Sequence, residues 1–137
     1  MEVAPPAWNG EIDPMLPWCP SSLPTLGTGL QIGSGNANTL LITSQCGEAK
    51  FGDAVGAKMA ASYRGGGKSD WYLPSKNELL LLFQNINNFG QVSSNMQYWS
   101  SSQDSLSRSW AVDLTTGASS SDQNMIDRSI RPIRAFG

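Results

Sequence analysis

The sequence predicts an α+β fold, and three observations predict it. Helical signals, with apolar residues recurring at a period of about 3.6, fill the middle of the chain and stop near Gly90. Beyond Gly90 the pattern changes to the two-residue alternation of strands. Helices first and antiparallel strands last is the order of an α+β domain rather than of a βαβ array. The 137 residues suit one domain, 1–137, with an irregular segment over 1–37 belonging to it.

Each element has a local cause. Six of the eight prolines precede residue 25, which rules out a regular helix there and leaves a short strand near Glu2–Ala4, then a loop carrying Trp8 and Trp18. Asn38 or Thr39 is expected to cap a short helix from Leu40 to Gln45. Asp53 is expected to cap a second, from Ala54 to Tyr63, which Gly65-Gly66-Gly67 stops. Ser75-Lys76-Asn77-Glu78 is a capping box, with Pro74 fixing the entry. Leu79, Leu82, Phe83 and Ile86 then form one apolar face, and Asn88 and Gly90 end the helix.

In the second half, Tyr98-Trp99-Ser100-Ser101 reads as a strand. Ser109 to Leu114 alternates, with Trp110, Val112 and Leu114 on one face and Ala111 and Asp113 on the other. Thr115-Thr116-Gly117 is a turn, residues 118–125 a polar loop, and Ile126 to Phe136 a last strand that Pro132 marks as an edge or a bulge.

Composition narrows the function. Charged residues are only 15%, and Gly, Ser, Asn and Thr take their place, as in loop-rich extracellular domains. Two cysteines, Cys19 and Cys46, favour one disulfide over a pair of buried thiols. No run approaches the ~20 apolar residues of a membrane span, so no membrane insertion is expected. The start MEVAPP has neither the basic residues nor the apolar stretch of a leader, so a secreted form is expected to have lost one. A net charge of -2 gives no footprint for nucleic acid. All nine basic residues lie from Lys50 onward, so the C-terminal part is mildly basic.

Arg64-Gly65-Gly66-Gly67-Lys68-Ser69 imitates the end of a phosphate-binding loop. That motif needs glycine where Ser62 stands, and a strand before it rather than an Ala-rich helix. The glycines instead end a helix and turn the chain into Trp71.

The residues that follow carry a resemblance. DWYLPSKNEL (70–79), YWSSS (98–102), SWAV (109–112) and RPIRAF (131–136) resemble a bacterial domain family that includes the C-terminal domain of the Legionella collagen-like adhesin. Val3-Ala4-Pro5, Trp18-Cys19 and the stretch from Gly29 to Cys46 are similar to its upstream parts, so the likeness covers nearly the whole chain. Two features depart from it: no Gly separates Trp18 from Cys19, and Lys58-Met59-Ala60-Ala61 lacks the family's helix cysteine. The resemblance implies a C-type-lectin-like fold, with two to three helices followed by a twisted, mainly antiparallel sheet and long loops. It also implies an extracellular or cell-surface adhesion domain, often trimeric, that recognises glycans, sulfated glycosaminoglycans among them. A protein-binding or self-assembling fibre module on the same scaffold is the alternative.

Candidate sites follow. Trp71, Leu73, Pro74, Ser75, Glu78, Trp99, Trp110, Arg131 and Arg134 are motif residues. The aromatic ones suit a sugar-stacking platform, but they sit at core parity and are expected inside. Arg131 and Arg134 are expected to pair with a carboxylate such as Asp70, Glu78 or Asp113. Arg64, Lys68, Arg108 and Arg128 flank loops and are the expected ligand-binding cations, able to meet sulfate or carboxylate. Asp104, Asp113, Asp122, Asn124 and Asp127 offer oxygens to calcium, but in no Asp-x-Asp-x-Asp-Gly spacing, so no cofactor or metal is assigned. With no histidine and no base identifiable beside Ser100-Ser101-Ser102 or Ser119-Ser120-Ser121, the chain is not expected to be an enzyme.

Overall fold

A computed structural model describes residues 2–5, 8, 10, 13–19, 27–46, 55–85 and 97–135. The fold is α+β. Among these residues the order is β1 (Glu2–Val3), β2 (Met15–Leu16), α1 (Gly35–Gln45), α2 (Gly56–Ser62), a 3₁₀ turn (Gly65–Gly67), α3 (Lys76–Gln84), β3 (Gln97–Ser105), β4 (Arg108–Asp113), β5 (Ser119–Gln123), β6 (Arg128–Ser129) and β7 (Ile133–Arg134). The larger sheet has five strands in the order β2-β6-β3-β4-β5, antiparallel except where β6 meets β3 at Tyr98 and Ser129. β1 and β7 form a second, two-stranded sheet, which Tyr72 joins by a bridge to Ile133.

The β3–β4 register explains the layers. Tyr98 lies opposite Val112, and Trp99 opposite Ala111. Tyr98, Val112 and Leu114 pack with Leu79 and Leu82 of α3. Trp99 and Ala111 pack on the other face with Ile42 of α1, Ala57 and Ala60 of α2, and Trp18. The central strands are therefore covered on both faces, which is why residues 98–102 are buried without a break. The small residues of α2 set how closely it sits: a Cβ on Gly56 would collide with Ile130.

A disulfide joins Cys19 to Cys46 at the end of α1, closing a separation of 27 residues. In the chain-entropy picture a loop of that size contributes about 3 kcal/mol. Among the described residues no helix is long and apolar enough to cross a membrane.

Four expectations change. α1 begins at Gly35 after Ser34, so Asn38 and Thr39 lie inside it rather than capping it. Their side chains serve tertiary partners instead. The Asn38 amide bonds both the N–H and the C=O of Gly29, each at 2.8 Å, and Thr39 Oγ1 accepts from the Leu73 N–H at 3.0 Å. The polar stretch 118–125 is largely strand: β5 pairs with β4 from Ser119 to Gln123, so a run of serines forms the sheet edge. The expected last strand divides into β6 and β7, in different sheets, because Arg131 between them turns into the interior. In α2 the helix starts at Gly56 after Val55. The expected cap Asp53 and the residues Ile86, Asn88, Gly90 and Phe136 lie outside the described residues, within which α3 ends at Gln84 with Asn85 as its C-cap, short of the expected helix end.

Candidate functional site

The site begins with the capping box that the sequence announces. Ser75 N–H donates to Glu78 Oε1 at 2.8 Å, and Glu78 N–H donates to Ser75 Oγ at 3.2 Å. Ser75 Oγ donates in turn to Gln31 O at 2.9 Å. The Lys76 N–H donates to Ser102 Oγ at 3.0 Å, which pins the first turn of α3 to strand β3. Glu78 is buried, and its other oxygen takes the Gly33 N–H and the Tyr72 hydroxyl. Burial first, and the Glu78 charge second, push the Tyr72 hydroxyl well above its ordinary pKa.

This anchoring puts Lys76 Nζ 3.9 Å from the centre of the Trp110 ring, a cation–π contact. Trp110 differs from the other motif aromatics. Trp71 and Trp99 are buried, as core parity predicts and as the motif residue Leu73 is, whereas Trp110 is half-buried on the α3 side of β4. Its indole differs too. Trp8 donates to Asp13 and Ile130 O, Trp18 to Ser100 O, Trp71 to Gly65 O and Trp99 to Leu16 O. Among the described residues, the Trp110 indole N–H alone of the five has no acceptor.

Regular pairing of β4 with β5 puts Arg108 on the same face as Trp110, with Ser121 directly across from Trp110. Arg108 is exposed and donates one Nη1 bond to Ser121 O. Ser121 Oγ donates to Asp104 Oδ2 at 2.6 Å, bringing a carboxylate to the same surface. The arrangement gathers one aromatic ring, two cations, one carboxylate and one hydroxyl beside the start of α3. Such a surface offers a polar ligand an aromatic ring, hydrogen-bond donors and a carboxylate acceptor together. Lys76 escaped the sequence reading because the Ser75–Glu78 box explains its segment as helix start alone. The signal that points to Trp110 is the serine-rich edge strand opposite it, which supplies no apolar cover.

The other predicted cations go elsewhere. Arg128 lies on the opposite face, where it pairs with Asp122 at 3.1 Å. Arg64 Nη1 bonds the carbonyls of Ala61 and Tyr63 at the end of α2, and Lys68 is exposed beyond the glycine turn. The four expected ligand-binding cations are therefore spread over different elements, and only Arg108 stands beside Trp110. Arg134 pairs with Asp70 and also with Glu2. Arg131 takes none of its expected partners; it holds Asp13, because the segment carrying Asp13 passes directly beneath it. The bond from Arg134 holds the Asp70 carboxyl below its ordinary pKa, and the Thr115 hydroxyl does the same for Asp113.

The calcium candidates do not converge. Asp104 binds Ser121, Asp113 closes the turn onto Thr115, Asp122 holds Arg128, and Asn124 Oδ1 accepts from Ser109. Among the described residues no group of three or more His, Cys, Asp or Glu could hold a metal ion.

A second surface lies along the flank of α3, where Ile32, Asn77, Leu80, Leu81 and Gln84 line an apolar cleft of about 270 Å³. Ile32 is exposed, and no charged side chain enters the lining of the cleft.

In the comparisons with known proteins, no protein-family model matches the chain and no curated protein matches it.

Proposed function

We propose that this chain is an extracellular or cell-surface adhesion domain on a C-type-lectin-like scaffold, and that it recognises glycans at the Trp110 face. The observation that carries the reading is the half-exposed Trp110 indole, the one without a protein acceptor among the described residues, framed by Lys76, Arg108, Asp104 and Ser121. An aromatic face suits the apolar side of a sugar ring, and short polar side chains on a strand edge suit its hydroxyls. The Cys19–Cys46 disulfide fits an oxidising compartment. Trimeric presentation, which the sequence resemblance implies, would multiply weak single-site contacts.

The test is a binding isotherm on a panel of neutral, carboxylated and sulfated oligosaccharides, heparin included, at ~50 and ~300 mM salt, which spans the onset of strong screening. Trp110→Ala is expected to weaken binding by about tenfold or more, the equivalent of one lost contact of roughly 1.4 kcal/mol. Binding that survives Trp110→Ala unchanged would rule out this face.

The apolar cleft favours a second reading, contact with another polypeptide. That contact would persist at high salt and be lost in Leu81→Asp, which leaves the Trp110 face intact.

A further inference from the structure

Two of the chain's five arginines close the planar fork of Nε and Nη2 on a carboxylate. Arg131 grips Asp13 with Nε at 2.6 Å and Nη2 at 2.8 Å. Arg134 grips Asp70 with Nε at 2.7 Å and Nη2 at 3.1 Å. Arg108 is held differently. Its Nη1 is tied back to Ser121 O, and among the described residues its Nε and Nη2 have no acceptor. The backbone anchor limits the guanidinium's freedom while leaving open the edge that the other two use for carboxylates. A side chain held this way loses less entropy on binding a planar anion than a free surface arginine does.

We propose that the ligand of the Trp110 face carries a carboxylate, and that Arg108 receives it bidentately through Nε and Nη2. This rests on the glycan reading above and adds the chemical class of the sugar: a uronic-acid type of ring rather than a neutral or densely sulfated one. Three features of the face agree. The fork geometry matches a planar carboxylate. Lys76, over the ring, supplies a second positive charge on the same face. Asp104, on the same face, sets a negative charge against the two positive ones, so the local balance suits a single anionic group with hydroxyls for Asp104 to accept. A chain dense in sulfate would bring repeated negative charge against that carboxylate, in a protein whose net charge is already -2.

The experiment compares short oligogalacturonates with the same oligomers as methyl esters, which keep the ring and lose the charge. Binding to the wild-type chain, Arg108→Lys, Arg108→Ala and Trp110→Ala is measured at one fixed salt concentration, with thermal unfolding confirming that each variant folds. The expected result is a preference for the acid of about tenfold or more, which Arg108→Lys loses to nearly the extent that Arg108→Ala does, because lysine keeps the charge but not the fork. Equal binding of acid and ester, still dependent on Trp110, would overturn the carboxylate assignment and leave glycan recognition standing. A preference for the acid that Arg108→Lys and Arg108→Ala leave unchanged would overturn the role of Arg108. No binding of any saccharide would overturn both readings.

Discussion

Arg131 holds Asp13 by two bonds of 2.6 and 2.8 Å, with both side chains closed off from water. The pair ties the proline-rich N-terminal segment to the link between β6 and β7, 118 residues away. Asp13 also takes the Trp8 indole N–H and the Tyr98 hydroxyl, and Arg131 reaches the Ala4 carbonyl at 3.3 Å. Each of these partners of the carboxylate is a donor, which is what an ion buried this deeply requires.

Breaking this pair from either side is expected to be severe. Arg131→Ala or Asp13→Ala leaves a buried charge without its partner and should cost about 3–5 kcal/mol. Arg131→Lys keeps the charge but not the fork, and should fall between wild type and Arg131→Ala. Urea midpoints at constant slope measure all three.

Asp70 and Arg134 make the same kind of fork at the surface, and there the consequence is a pH dependence. The folded-state pKa of Asp70 is depressed, chiefly by the Arg134 bond, so its contribution is present above the unfolded value and lost as pH falls through the folded one. Asp70→Asn should therefore be less stable than wild type near neutral pH, and the gap should close as pH falls below the ordinary aspartate value. Denaturation curves at intervals between those limits test the sign. A gap that widens toward acid would contradict it.

Gly35 opens α1 directly against the capping box of α3. A Cβ there would collide with Glu78 Oε1 and lie 2.7 Å from the Tyr72 ring. Gly35→Ala is expected to destabilise by about 1–3 kcal/mol, the usual cost of forcing bulk into a packed contact, although alanine favours helix. Since the displaced groups are those that hold Lys76 over Trp110, its thermal unfolding should fall together with ligand affinity.

How much of this was legible in the sequence depended on how local the cause was. The Ser75–Glu78 box is a four-residue signal, and the structure forms it as read. The change from helical to alternating pattern near residue 90 predicted the α+β class for the same reason: periodicity is local. Asn38 and Thr39 misled because a polar residue before an apolar run looks like a cap, while their real partners, Gly29 and Leu73, lie elsewhere in the chain. The serines of 119–123 looked like a loop because their strand is specified by pairing with β4, not by their own propensity. Trp110 shares parity with the buried Val112 and Leu114. Only the tertiary arrangement, with Val112 and Leu114 packed against Leu79 and Leu82 of α3 while Trp110 meets the Lys76 ammonium, separates it from the core.

NMR of the five tryptophan side-chain N–H groups reports whether the Trp110 indole is the one offered to a ligand. With oligogalacturonate added, one indole resonance is expected to move most, to exchange fastest with solvent before binding, and to vanish in Trp110→Phe. If that resonance stays fixed while signals from Ile32, Leu80 and Leu81 move, the ligand face lies in the apolar cleft and not at Trp110.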